Sequence, residues 1–128
     1  MNLVTPLNRV LGLGAAHGAV EHWWAQRVTA VALVPLGLWL LVSFATLDDF
    51  TYETVVAWAR RPVTGILLLL TALALTYHSY LGLQVVIEDY LHAKPLKVGG
   101  LILSALGHAA LAVAGIYSVL RITFGPLP

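Results

Sequence analysis

The sequence predicts an all-α membrane protein with three transmembrane helices. Three uncharged stretches, at about residues 28–47, 63–87 and 98–120, are long enough to cross a hydrocarbon core, which takes about 20 apolar residues. The composition agrees, because 59% of the 128 residues are hydrophobic and 10% are charged, whereas soluble domains carry roughly 25% charged residues. We therefore treat the chain as one membrane domain.

The charged side chains and the absence of cysteine exclude several classes of protein. Seven basic and six acidic side chains are too few to coat a water-facing surface on a chain of this length. This excludes an ordinary soluble enzyme, a nucleic-acid binder and a disordered linker. Without cysteine there is no disulfide, thiolate metal site, iron–sulfur ligand or cysteine nucleophile. The remaining solvent to consider is membrane lipid.

The segments between the spans predict how the helices are connected. Asp48 and Asp49 end the first span, and the connection to Arg61 is long enough for a short amphipathic turn on the membrane, with Tyr52 and Trp58 as interfacial anchors. Pro62 suits the first turn of the second helix. The connection 88–97 is tight, so the second and third helices should be antiparallel neighbours. The N-terminal residues 1–20 lack the order of a cleaved signal peptide.

The basic residues give a slight preference for a cytoplasmic N-terminus. With that orientation four basic residues lie inside and three outside: Arg9, Arg27, Lys94 and Lys97 against Arg60, Arg61 and Arg121.

His78 is the first candidate for chemistry, because an imidazole within a span is costly unless it is paired. Gly82, one turn later, leaves room beside the imidazole for a flat macrocycle or a close helix. Neutral imidazole is a good axial ligand for haem iron. Alternatively, His78 is hydrogen-bonded to a neighbouring helix.

His78 lies fifteen residues before Ala93, in the connection 88–97, and His108 lies fifteen residues after it. The two histidines should therefore lie at about the same depth in the membrane. Both could therefore ligate one haem, as a two-histidine site within this chain. The favoured role is packing, with His108 bonded across a helix contact, because it belongs to a stripe of small and polar residues. The stripe is Gly100, Ser104, Gly107, His108, Gly115 and Ser118.

Two further groups lie at the rims of the spans. The segment His22-Trp-Trp-Ala-Gln-Arg27 is typical of interfacial anchors. Alternatively, Arg27 and His22 pair with a carboxylate at the rim, such as a haem propionate. Asp89 and Tyr90 end the second span. Tyr90 is typical of the aromatic belt at the membrane interface. Alternatively, its hydroxyl donates a hydrogen bond to a quinone carbonyl, with the Asp89 carboxylate beside it.

Together these motifs resemble the hydrophobic membrane anchor subunit of bacterial succinate dehydrogenase. The resemblance covers roughly residues 20–97 and rests on three segments. They are His22-Trp-Trp-Ala-Gln-Arg-Val-Thr-Ala30, Phe50-Thr-Tyr-Glu53 and His78-Ser-Tyr-Leu-Gly82-Leu-Gln-Val-Val-Ile-Glu-Asp89-Tyr90. The third span is similar only in length and hydrophobicity.

The resemblance implies half of a six-helix bundle, completed by a cytochrome b subunit that shares one b haem. It implies that His78 is an axial haem ligand, that Arg27 and either His22 or His17 approach the propionates, and that Tyr90 and Asp89 bind ubiquinone. It also implies flavoprotein and iron–sulfur partner subunits on the cytoplasmic side of the bacterial inner membrane, where the N-terminus lies. A stand-alone two-histidine cytochrome and a purely structural membrane subunit are the alternatives.

Overall fold

The computed structural model describes residues 16–125, with side chains from residue 20, and these residues form four α-helices and no strand. The helices are α1 (Ala16–Ala45), α2 (Tyr52–Ala59), α3 (Pro62–Tyr90) and α4 (Lys94–Phe124). Helices α1, α3 and α4 have 30, 29 and 31 residues, so each reaches about 45 Å, which exceeds a hydrocarbon core of about 30 Å. All three are apolar enough to span a membrane, which confirms the predicted fold class.

The long helices extend beyond the uncharged stretches that mark them in the sequence. Helix α1 begins at Ala16 and α4 continues to Phe124, because charged residues at the rims fit a helix as well as apolar ones. The end of α1 is the exception, since it lies at Ala45, two residues before the predicted boundary. The prediction located the spans and underestimated the lengths of the helices.

The connection between α3 and α4 is tight, as the sequence predicts, and with three residues it is shorter than the predicted range 88–97. Helix α3 ends at Tyr90, and α4 begins at Lys94 with a proline in its first turn, where proline costs no hydrogen bond. The ammonium group of Lys97 donates to the carbonyl oxygen of Glu88 at 2.6 Å and ties the two helix ends together. The two helices are therefore antiparallel neighbours.

The first connection contains α2, which the sequence predicts only as a short amphipathic turn. Thr51 caps it, because its hydroxyl oxygen accepts from the backbone N–H of Thr54 at 3.4 Å. The Asp49 carboxylate accepts from the backbone N–H and the hydroxyl of Thr51, at 3.0 and 2.7 Å. These bonds lower the pKa of Asp49, with the Thr54 hydroxyl as the largest cause and the two Thr51 donors next.

Trp58 corrects the prediction of two interfacial anchors in this connection. Only 7% of its surface is exposed, and its indole stacks on Trp39 and contacts Phe44. Helix α2 has Cα atoms within 8 Å of α3 and of α4, and its tryptophan reaches across to the aromatic rings of α1 instead of facing lipid. Tyr52, by contrast, is exposed, as an anchor is.

Helix α3 lies between α1 and α4, so the three long helices form a layer. Among the described residues no Cα atom of α1 lies within 8 Å of one in α4. The described residues that are buried belong to the three later helices: Trp58, Ala59, Thr64, Gly65, Leu81 and Ser104. Lipid or another protein must therefore cover the outer faces of α1 and α4.

Candidate functional site

A cavity of about 860 Å³ opens between α1 and α3. From α1 it is lined by His22 and Gln26, one helical turn apart, and from α3 by His78 and Gly82, also one turn apart. Residues four apart lie on the same helix face, so the two pairs face each other across the helix contact. The remaining lining residues are Trp23, Arg27, Ala30, Gln84, Val85 and Glu88.

The imidazole of His78 contacts α1 through both of its ring nitrogens. The Thr29 hydroxyl oxygen lies 2.9 Å from Nδ1, and the amide nitrogen of Gln26 lies 3.4 Å from Nε2. The structure thus confirms that His78 is hydrogen-bonded to a neighbouring helix, one of its two predicted roles. The bond at Nδ1 is short, whereas the contact at Nε2 is long and weak.

In the part of the chain that the structure describes, two polar atoms that share the cavity with His78 are buried without a hydrogen-bond partner. They are Nε2 of His22 and Oε1 of Gln26, and both residues line the cavity. A buried polar atom without a partner costs about 1–3 kcal/mol. Polar groups of a molecule seated in the cavity would remove that cost, so these atoms fit a bound ligand better than they fit packing alone.

Gly82 leaves space in the cavity wall. A Cβ atom built there would meet only the amide nitrogen of Gln26, at 3.6 Å, which is an ordinary contact. No backbone atom of another helix within residues 16–125 lies within 4 Å of that Cβ, so close helix packing does not account for the glycine. The glycine instead enlarges the space next to His78, the shape that a flat macrocycle requires.

Arg27 lies at the open edge of the cavity. Its guanidinium carbon is 5.4 Å from the centroid of the Trp23 ring, within the range of a cation–π contact. Trp23 and Trp24 are both about half exposed, as interfacial anchors are. Arg27 is also exposed, so it can contact an anionic group at the rim. The described residues contain no group of three or more acidic or histidine side chains that could hold a bare metal ion.

Asp89 and Tyr90 lie at the same end of α3 as the cavity but are not among the residues that line it. The Tyr90 side chain is 76% exposed, and Asp89 is also exposed. The two side chains therefore face out of this chain, and the structure does not bring them to His78. Any pocket that includes them needs walls from another molecule.

His108 occupies a different groove, between α3 and α4, of about 610 Å³. Its Nε2 lies 3.2 Å from the Ser79 hydroxyl oxygen across the helix contact, and its Nδ1 lies 2.8 Å from the carbonyl oxygen of Ser104. This confirms the predicted packing role. Because His78 lines the cavity facing α1 and His108 lines the groove facing α4, the structure does not bring the two histidines to one cavity.

The predicted stripe of small residues on α4 is correct in part. Ser104 is buried, Gly100 faces Ile87 and Leu91, and a Cβ at Gly115 would lie 3.6 Å from Ala72. Gly107 and Ser118 are exposed, and nothing lies within 4 Å of a Cβ at Gly107. Those two positions are therefore not part of the contact.

Four residues of the site had no role assigned from the sequence. Gln26 and Thr29 contact His78, and Gln84 donates to the Glu88 carboxylate at 2.9 Å in the cavity wall. A usable signal was present for α1, because His22, Gln26 and Thr29 follow one another at helical spacing. The His17 side chain and Arg9 lie outside the described residues.

The comparisons with known proteins agree with this architecture. Residues 1–120 match the family described as succinate dehydrogenase/fumarate reductase transmembrane subunit. A Rickettsia bellii protein named succinate dehydrogenase hydrophobic membrane anchor subunit is 39% identical over 85 residues, which are 66% of this chain and 67% of the relative. A Paracoccus denitrificans protein of the same name is 28% identical over 127 residues, covering 99% of this chain and 98% of the relative.

The three-helix membrane fold and the family match together define a membrane subunit of a larger assembly. The chain belongs to the succinate dehydrogenase/fumarate reductase transmembrane subunit family. Within that family its relatives are hydrophobic membrane anchor subunits. The chain is thus a non-catalytic membrane anchor subunit of an enzyme complex.

Proposed function

We propose that this chain anchors succinate dehydrogenase to the bacterial inner membrane and supplies one wall of a b haem site shared with a cytochrome b subunit. His78 provides the axial ligand, and His22 and Arg27 hold the propionates. The observation that carries the proposal is the cavity between α1 and α3, because His78 lines it together with His22, whose Nε2 is buried without a partner among the described residues and can donate to a carboxylate.

The residues present fit a haem in three respects. The Nε2 atom of His78 has only one long contact, to the Gln26 amide nitrogen at 3.4 Å, so its lone pair is weakly engaged. Among the described residues His22 Nε2 is buried without a partner, and an imidazole N–H there can donate to a propionate oxygen. Arg27 lies at the open edge, where a guanidinium can pair with carboxylates.

A single layer of three helices cannot enclose a macrocycle, which explains the need for a partner. The outer faces of α1 and α4 are uncovered, and in the described part of the chain α1 has Cα atoms within 8 Å of α3 but none within 8 Å of α4. A second three-helix subunit packed on α1 and α3 closes the cavity and supplies the other axial ligand. Haem bound there supplies one-electron transfer; this chain's own residues bind and orient it.

Asp89 and Tyr90 contribute to a ubiquinone site formed with the partner chains. Both are exposed at the end of α3, where the phenol can donate a hydrogen bond to a quinone carbonyl. Flavoprotein and iron–sulfur subunits dock at this end, which is the cytoplasmic one and carries the N-terminal side of α1. Succinate oxidation takes place in those subunits.

The deciding experiment is a reduced-minus-oxidised visible spectrum of the complex purified in mild detergent. We expect a b-type α band together with co-purifying flavoprotein, iron–sulfur and cytochrome b subunits. His78→Ala should abolish the band, and the matched variant His108→Ala should retain it, because His108 lines the other groove. A band that survives His78→Ala, or a native complex without one, would overturn the haem assignment and leave a structural anchor.

A further inference from the structure

The Thr29 hydroxyl links the His78 ring to the backbone of α1. Its oxygen lies 2.8 Å from the carbonyl oxygen of Ala25 and 2.9 Å from Nδ1 of His78. A hydroxyl has one hydrogen and accepts through its lone pairs. A carbonyl oxygen can only accept, so with the Thr29 hydrogen directed to Ala25 the hydroxyl oxygen is free to accept from Nδ1 of His78.

The contact on the opposite side of the ring agrees with that direction. The amide nitrogen of Gln26, which can only donate, lies 3.4 Å from Nε2 of His78. A ring with its proton on Nδ1 satisfies both contacts, because Nδ1–H then donates to Thr29 and the Nε2 lone pair faces the Gln26 amide nitrogen. Three donors point the same way, from Gln26 to His78, from His78 to Thr29 and from Thr29 to Ala25.

We propose that Thr29 is a positioning residue that holds His78 as the Nδ1–H tautomer, with the Nε2 lone pair directed into the cavity. The inference rests on the proposed function, in which Nε2 is the ligand atom. A hydrogen bond from the second ring nitrogen fixes the orientation of a ligating histidine and raises its basicity. Gln26 holds Nε2 only weakly, at 3.4 Å, so it would give way to a metal bound there.

Thr29→Val tests the proposal, because valine keeps the shape of threonine and removes the acceptor. A less basic imidazole stabilises the oxidised iron less, so the midpoint potential of the b haem should become more positive. Haem affinity should fall about tenfold, since loss of such a partner costs 10–100-fold in metal binding. The potential is read by redox titration of the α band and the ring orientation by the electron paramagnetic resonance signal of the oxidised haem.

Two further variants separate positioning from a general effect on folding. Thr29→Ser retains the hydroxyl and should restore the native potential and signal. Thr71→Val is the matched control, because the Thr71 hydroxyl also bonds to a carbonyl of its own helix, that of Leu67 at 2.7 Å, without touching His78. The midpoint potential of the b haem in Thr71→Val should equal that of the native complex. Should Thr29→Val fail to assemble, Thr29→Ala removes the same acceptor and is compared in its place.

The outcomes distinguish this inference from the function on which it rests. A native complex with no b-type band, or a band that survives His78→Ala, contradicts the proposed function. A native band lost in His78→Ala, with a potential and resonance signal that Thr29→Val leaves unchanged, contradicts only the role of Thr29. The same holds if Thr29→Ser shifts the potential as much as Thr29→Val does.

Discussion

The indole of Trp58 stacks on the indole of Trp39, with ring centroids 6.0 Å apart and planes inclined by 18°. Phe44 completes the contact, at 5.2 Å from the Trp58 ring. Among the described residues, α1 and α2 have no Cα atoms within 8 Å of each other. Side chains therefore make the contact between these two helices, and the Trp39, Phe44 and Trp58 rings form part of it at the end of α1 opposite the candidate site.

Trp58→Ala should destabilise the subunit by about 3 kcal/mol, the lower end of the range for truncating a buried tryptophan. The reason is that Trp58 is almost fully buried and its ring joins α2 to α1. The measurement is denaturant-induced dissociation of the purified complex. Trp24→Ala is the control, because Trp24 is 58% exposed and should change stability little. Equal effects of the two substitutions would contradict the role of the Trp58 ring in joining α2 to α1.

The cap of α2 should weaken in acid because of Asp49. Hydrogen bonds from Thr54 and Thr51 lower the pKa of this carboxyl. A lowered pKa in the folded state adds stability above the unfolded value of about 3.9, and that stability is lost as the pH falls through the lowered pKa. Amide hydrogen exchange across residues 51–59 should therefore differ between native protein and Asp49→Asn at pH 6, and the difference should vanish at low pH. Asp48→Asn is the neighbouring control. A pH-independent difference would refute this account.

Arg27→Gln should make the midpoint potential of the b haem more negative, the opposite direction to Thr29→Val. A guanidinium at the cavity edge favours the reduced haem, which carries one more negative charge. Redox titration of the α band measures the shift. Arg121→Gln removes a cation at the far end of α4, where the guanidinium contacts Tyr117, and should leave the potential native. An unchanged potential in Arg27→Gln would place the propionates elsewhere.

The sequence predicted the spans, the tight turn between α3 and α4 and the packing of His108, because hydropathy and small-residue stripes depend on local pattern. It did not predict the layer order, in which α1 and α4 are held apart by α3. Because of that order His78 and His108 line different grooves. Their equal spacing from Ala93 in the sequence is compatible with one shared haem and does not reveal this difference. The burial of Trp58 was also missed, since an interfacial tryptophan and one folded under a short helix have the same sequence signal.

The partners of His78 show the same division between local and tertiary information. Gln26 and Thr29 share a face of α1 with His22, which helical spacing alone indicates. That this face meets the His78 face of α3 depends on how the two helices pack, and no pattern within either helix fixes that rotation. The structure supplies it through the short bond between Thr29 and His78.

Tyr90→Phe should lower succinate–ubiquinone reductase activity roughly tenfold, because loss of one hydrogen bond to a substrate costs on the order of 1.4 kcal/mol. Succinate oxidation by a soluble dye should survive, since that reaction needs only the partner subunits. Tyr52→Phe is the matched control, because Tyr52 is also an exposed tyrosine and lies next to the opposite end of α3. Its quinone reduction should be native. If Tyr90→Phe reduces ubiquinone at the native rate, or if the dye activity falls equally, the phenol does not contact the quinone and the exposed end of α3 serves only for docking.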